Sequence, residues 1–175
     1  MTRKQFLISS VLLSSTMVVL ILSRGNNRPA DYLGRQNAAD KAFLRGDYDE
    51  AIKQHEANLT EAEKNGDARQ MAFTLHWLAP IYQSQERYAE AESAFKREIA
   101  AAERSDGAQH PFMLYSLTDI TMFYLSQDRE TDAKPYSSQA ISIVEGGVGQ
   151  EYAAIAEVAK KLALQIAESQ SSQRQ

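Results

Sequence analysis

The sequence contains no cysteine. That absence excludes disulfides, thiolate nucleophiles, cysteine-ligated zinc, iron–sulfur clusters and a lipid-modified N-terminal cysteine. It leaves the compartment open, because an exported protein can do without disulfides. Glycine and proline are sparse, at eight and four residues in 175, so long helices meet few breakers. Histidine is scarcer still. His55, His76 and His110 stand 21 and 34 residues apart, with no i, i+4 pair among them, so neither a metal site nor a cofactor is expected. The serines have no histidine or aspartate in a motif context. Glu86, Glu90 and Glu92 read as a solvated face rather than a general acid–base pair. Residues 146–149 (GGVG) lack the lysine and preceding strand of a phosphate loop and read as a helix breaker. No catalytic residue is assigned, and an enzyme is the minor alternative.

Charge of one sign is also missing from one end. Arg3, Lys4, Arg24 and Arg28 precede residue 30, and no acidic residue does. The remainder carries 15 basic and 23 acidic groups, a net charge of -8. An acidic body without a basic cluster argues against nucleic acid as a partner.

What the N-terminus does have is an uncharged run, FLISSVLLSSTMVVLILS at residues 6–23, behind a basic stub. As a helix it would extend about 27 Å, just enough for a hydrocarbon core of about 30 Å. A retained signal anchor is the favoured reading, because the run exceeds the apolar core of a cleavable signal. Cleavage at the small-x-small triplet Ser23-Arg24-Gly25 and burial as a core helix are the alternatives. The expectation is a single transmembrane helix over residues 1–24, a polar linker over 25–31, and a body on the extracytoplasmic side of the membrane.

The body repeats. G-D-Y-D-E-A at 46–51, E-R-Y-A-E-A at 86–91 and D-R-E-T-D-A at 128–133 align without gaps, and their closing alanines Ala51, Ala91 and Ala133 are 40 and 42 residues apart. Before each lies a helical line: Leu75, Leu78, Ala79 and Tyr82, then Leu117, Ile120, Thr121 and Tyr124, with Arg35, Ala38, Ala39 and Ala42 as the degenerate first case. After each comes a second helix. A small residue just past the turn lets two antiparallel helices approach closely. Helices are expected at about 32–45, 48–64, 68–84, 88–104, 111–126, 130–145 and 150–168, with a disordered tail over 169–175.

These segments resemble the tetratricopeptide repeat family, whose pattern runs W-x2-L-G-x2-Y and then A-x3-F-x2-A. The spacing is similar to the longer, kinesin-light-chain-like variety. The best unit is LHWLAPIYQSQERYAEAESAF at residues 75–95. The family glycine is replaced by Ala39, Ala79 and Thr121. The family phenylalanine is replaced by His55 and Ser137, and the last alanine by Asn58 and Glu98. The resemblance implies an all-α fold, a right-handed superhelix of antiparallel helix pairs over residues 32–168, closed by a C-terminal capping helix.

It also implies a concave groove lined by the first helix of each unit. The expected partner-binding residues are Phe43, Phe73, His76, Gln83, Tyr115, Thr118 and Met122, with packing against the last helix or a second copy as the alternative. Gln36, Asp40, His76 and Pro80 stand where some relatives carry a Lys and Asn carboxylate clamp, so that mode is not expected. The functional expectation is a membrane-anchored protein-binding scaffold or assembly factor for a membrane-associated complex. A structural homo-oligomer or a small subunit of a larger complex is the alternative.

Overall fold

The computed structural model describes residues 30–172. They form α1 (Ala30–Leu44), α2 (Tyr48–Asn65), α3 (Ala68–Ser84), α4 (Tyr88–Asp106), α5 (Met113–Leu125), α6 (Glu130–Glu145), a 3-10 turn (Gln150–Tyr152) and α7 (Ala153–Ser172). The all-α architecture of paired helices expected from the repeat is present. The expected anchor lies outside the described residues, and no described helix is long and apolar enough to cross a membrane.

The repeat is written into three equivalent turns. Asp47, Arg87 and Arg129 each donate their backbone N–H to the carbonyl five residues back, on Ala42, Tyr82 and Tyr124, at 2.9, 3.0 and 3.0 Å. The residue before each, Gly46, Glu86 and Asp128, has positive φ (77, 62 and 58°) and bonds three residues back. This is the Schellman stop, in which one left-handed residue ends a helix and satisfies its last carbonyls. Four residues after each stop sit Ala51, Ala91 and Ala133, all fully buried. Arg87 then stacks over Tyr82 and Arg129 over Tyr124, each 4.6 Å from the ring centroid. The tyrosine hydroxyls reach the preceding unit's second helix, Tyr82 to Glu56 at 2.7 Å and Tyr124 to Glu92 at 3.1 Å.

Between units, Gly66 closes α2 in the left-handed region, and Asp67 caps α3 by accepting the Gln70 N–H at 2.9 Å. The core falls into two apolar clusters. One lies toward the turns within units, around Leu75, Leu78, Phe95, Ile120 and Phe123. The other lies toward the junctions between units, around Tyr32, Phe73, Leu114, Tyr115 and Ile143. Helix α7 packs on α5 and α6 and serves both, with Tyr152, Ala156 and Ala159 in the second cluster and Ile166 in the first.

Helix α1 begins at Ala30, inside the linker expected over 25–31, and two further departures have a visible local cause. Helix α5 starts at Met113, because the Pro111 segment is a turn in which Met113 and Leu114 bond back to His110 and Pro111. Helix α7 runs on to Ser172 rather than giving way to a tail at 169, and the Ser169 hydroxyl donates to Glu130 of α6.

Glu86 is exposed and carries a left-handed φ that favours glycine. Glu86→Gly should therefore raise the unfolding free energy by about 0.5–1 kcal/mol, with a smaller gain for Asp128→Gly, because aspartate tolerates this region better. Urea denaturation reads both. His55 gives a pH prediction. It is buried, its Nδ1 has no hydrogen-bond partner, and burial pushes its imidazole down to about 4. The unfolded chain binds this proton from about pH 6.5 and the folded chain resists it until about pH 4. This group's contribution is thus complete above pH 6.5 and falls by roughly 1–3 kcal/mol as pH drops to 4. His55→Phe should flatten that part of the wild-type slope in melting curves taken between pH 4.5 and 7.5.

Candidate functional site

The first helices α1, α3 and α5 present equivalent rows at the repeat spacing, and those rows differ in exposure. Gln36, His76 and Thr118 form one row, and all three are buried. In the row Leu33, Phe73 and Tyr115, only Leu33 reaches solvent. Phe73 sits edge-on to Trp77 at 6.3 Å, and Tyr115 lies between the rings of Phe112 (5.9 Å) and Tyr152 (6.3 Å). Tyr152, at the foot of the capping helix, thus covers part of the face expected to be a groove. The rows nearer the turns stay open. Asp40, Pro80 and Met122 are half-buried, and Leu44, Ser84 and Ser126 are exposed or half-buried, with Leu44 at 78%. Phe43 and Leu125 flank buried Gln83, which donates to Ser126 at 3.3 Å.

Of the seven expected groove residues, only Phe43 and Met122 are therefore accessible. Phe73, His76, Gln83, Tyr115 and Thr118 are buried. The expectation that they line an open surface is corrected. The reason is that the rows distant from the turns pack against neighbouring units and the cap, while Gln83, in a row nearer the turns, is buried against the next unit, where it donates to Ser126.

His76 is drawn into a charged cluster. Its Nδ1 lies 3.2 Å from Glu98 Oε1 and 3.3 Å from Asp119 Oδ2, and the Ser116 hydroxyl donates to Glu98 Oε1 at 2.7 Å. Burial alone would push the imidazole down, but the Glu98 carboxylate, with Asp119 beyond it, holds it well above the usual histidine range. Burial pushes the Asp119 carboxyl up, opposed by the His76 charge and reinforced by Glu98. The three residues come from α3, α4 and α5, with 22 positions between His76 and Glu98. Sequence spacing therefore held no local motif for them. The available signal was Glu98 itself, a charged residue at the place of the family's last packing alanine.

The equivalent place in the first unit is also polar. Asn58 accepts from Arg35 Nε at 2.6 Å and donates to the Tyr32 carbonyl at 3.2 Å, while Arg35 pairs with Glu61. On the other side of the solenoid, a cleft of about 510 Å³ lies between α2 and α4, floored by Leu75, Leu78 and Tyr82 of α3 and edged by Glu56, Glu63, Glu90 and Arg97. Tyr82 holds Glu56 and Arg97 pairs with Glu63, so much of its polar edge is already engaged.

A family model described as tetratricopeptide repeat matches residues 70–146. Among solved structures, the fold is similar to BtubC (BKLC) from P. vanneervenii, with a TM-score of 0.63, 14% identity, and coverage of 95% of this chain and 75% of that one. It is also similar to the nearly identical TPR-like repeats of a Podosopora anserina protein described as a putative kinesin light chain, with a TM-score of 0.59, 18% identity, and coverage of 99% and 91%. No curated protein shows significant sequence similarity to the chain.

Burial separates structural residues from accessible ones. Phe73→Ala and Tyr115→Ala should each lower the unfolding free energy by about 3–5 kcal/mol. Leu44→Ala should stay within about 0.5 kcal/mol of the parent. Chemical denaturation of the three variants checks the division.

Proposed function

We propose that this chain, a tetratricopeptide-repeat protein over residues 70–146, is a protein–protein interaction scaffold that grips its partner along the turn-proximal strip of its inner face. The observation that carries the reading is the split between rows. Phe43, Leu44, Pro80, Met122 and Leu125 remain wholly or partly accessible, while in the rows behind them only Leu33 reaches solvent. Exposed apolar side chains on a rigid frame provide anchors with little ordering to lose on binding. Small hydroxyls at Ser84 and Ser126 supply polar edges.

The apolar run at residues 6–23 supports a tether that holds this scaffold at a membrane, with the repeat domain on the extracytoplasmic side. Its partner would then belong to a membrane-associated complex, and the acidic body would favour a basic approach surface. Val158 and Leu164 are exposed on α7 and favour a second reading, in which two copies associate through the cap.

Site-specific photocrosslinking in native membranes tests the strip. A crosslinker replacing Leu44 or Ser84 should give a discrete heteromeric product that Phe43→Ala weakens. A crosslinker replacing Glu103, exposed on α4, should give none. Products only from Thr60 and Ser93 would move the site to the outer cleft. A homodimer product through Val158 would favour the second reading. Carbonate washing tests the tether: the intact chain should remain in the membrane pellet, and release to the supernatant would refute it.

A further inference from the structure

The cluster of His76, Glu98 and Asp119 carries an inference independent of partner binding. Its three groups offer one imidazole nitrogen and two carboxylate oxygens, all within 4.8 Å of one another. Zinc bonds of about 2.0–2.1 Å at tetrahedral angles place neighbouring ligand atoms ~3.3–3.4 Å apart. The two separations from His76 Nδ1, 3.2 and 3.3 Å, match that edge. The set is an imidazole with carboxylates, a combination that suits zinc and similar divalent transition metals.

Charge balance adds a second argument. Glu98, which is buried, and Asp119, which is half-buried, bring two carboxylates against one imidazole, and one divalent cation matches their combined charge. One atom of the cluster is also left without a partner. Ser116 and His76 both address Glu98 Oε1, and Glu98 Oε2 has no partner although the residue is only 1% exposed. A carboxylate that engages a metal through both oxygens uses that second atom. Asp119 keeps 15% of its side chain exposed, which leaves the cluster one edge toward solvent.

The geometry points to a divalent transition-metal site, zinc by preference, formed by His76 Nδ1, Glu98 and Asp119 and joining the second repeat unit to the third. With His76 on α3, Glu98 on α4 and Asp119 on α5, such an ion crosslinks three helices. Its role is structural: it locks adjacent units in one arrangement.

The chain carries its own reporter. Trp77 is its one tryptophan, with its ring 6.1 Å from that of His76. The test uses the full-length chain in mild detergent, without an affinity tag, stripped with EDTA and titrated with ZnCl2 and, separately, CoCl2. One Zn2+ per chain should bind. It should raise the melting temperature by roughly 5 °C or more at a hundredfold excess over Kd, and EDTA should reverse the shift. Co2+ should give a visible ligand-field absorption and quench Trp77 emission at the same stoichiometry, and Zn2+ should displace it. Asp119→Asn and Glu98→Gln keep the shapes of the side chains and should abolish both the shift and the quenching. Absence of stoichiometric binding to the parent chain overturns the proposal. So does binding that leaves Trp77 emission unchanged, which would place the ion elsewhere, or binding that both variants retain. If either variant fails to fold, the cobalt and Trp77 readings on the parent chain still decide.

Discussion

The close approach of two helices after each left-handed turn is the constraint on which this fold depends. The turns at Gly46, Glu86 and Asp128 stop one helix and aim the next back along it. The aim succeeds only if the first residue to meet the partner helix is small, and Ala51, Ala91 and Ala133 fill that place with no exposed surface. Larger residues there would force the helices apart and open both apolar clusters at once. Everything else is ordered by this approach: the tyrosines that reach the preceding unit, the arginines stacked on them, and the need for a cap. A solenoid unit buries its face only against a neighbour, so the last unit requires an added helix. Helix α7 meets that need, and in doing so Tyr152 closes over Tyr115.

Within this regular frame, one position varies in a telling way. Asn58, Glu98 and Ala140 occupy equivalent places in the three second helices, and all three are buried. Alanine at that place simply packs, as Ala140 does among Leu114, Leu117 and Ile143. A polar group there must find partners or lose the free energy of its hydration. Asn58 finds Arg35 and the Tyr32 carbonyl, and Glu98 finds His76 and Ser116. Each network ties its second helix to another helix through bonds with specific geometry, which apolar contacts do not supply. The units are thus not interchangeable, although their turns are. Within the first unit the place holds a neutral amide between Arg35 and a backbone carbonyl, and between the second and third units it holds a concentration of charge.

The helix pairs were legible because turn chemistry is local. A glycine or acidic residue at the left-handed position, followed by alanine at fixed distance, is visible in six residues, and the first six helices fall within two residues of their expected bounds. The start of α5 was less legible, because Pro111 suits both a first helical turn and the turn before it. The end of α7 depended on the Ser169–Glu130 contact, which no reading of a polar tail contains. The groove was the hardest to read. Helical periodicity identifies which residues share a face, but whether that face meets solvent depends on the neighbouring unit and on where the cap lands. Phe73 and Phe43 illustrate the point: both are groove-facing by register, and only the one nearer the turn stays accessible. The charged cluster was hidden for a related reason, since its members come from three helices and meet only after the second and third units have packed.

The division of the inner face also limits how this molecule can hold a partner. In the proposed mode, with the far rows closed except at Leu33, contact would fall on two or three side chains from each first helix, a strip that suits a short segment better than a long peptide threaded along a whole groove. The strip is itself mostly uncharged: Asp40 is its one acidic group, and hydrogen bonding to Gln36 holds that group in place. The acidity of the molecule resides in the second helices and outer surface, at residues such as Glu56, Glu63 and Glu90. In the proposed mode, long-range attraction and short-range grip are therefore separated in space. The first would raise the encounter rate of a basic partner and weaken with salt. The second would set its residence time through apolar anchors that salt barely touches.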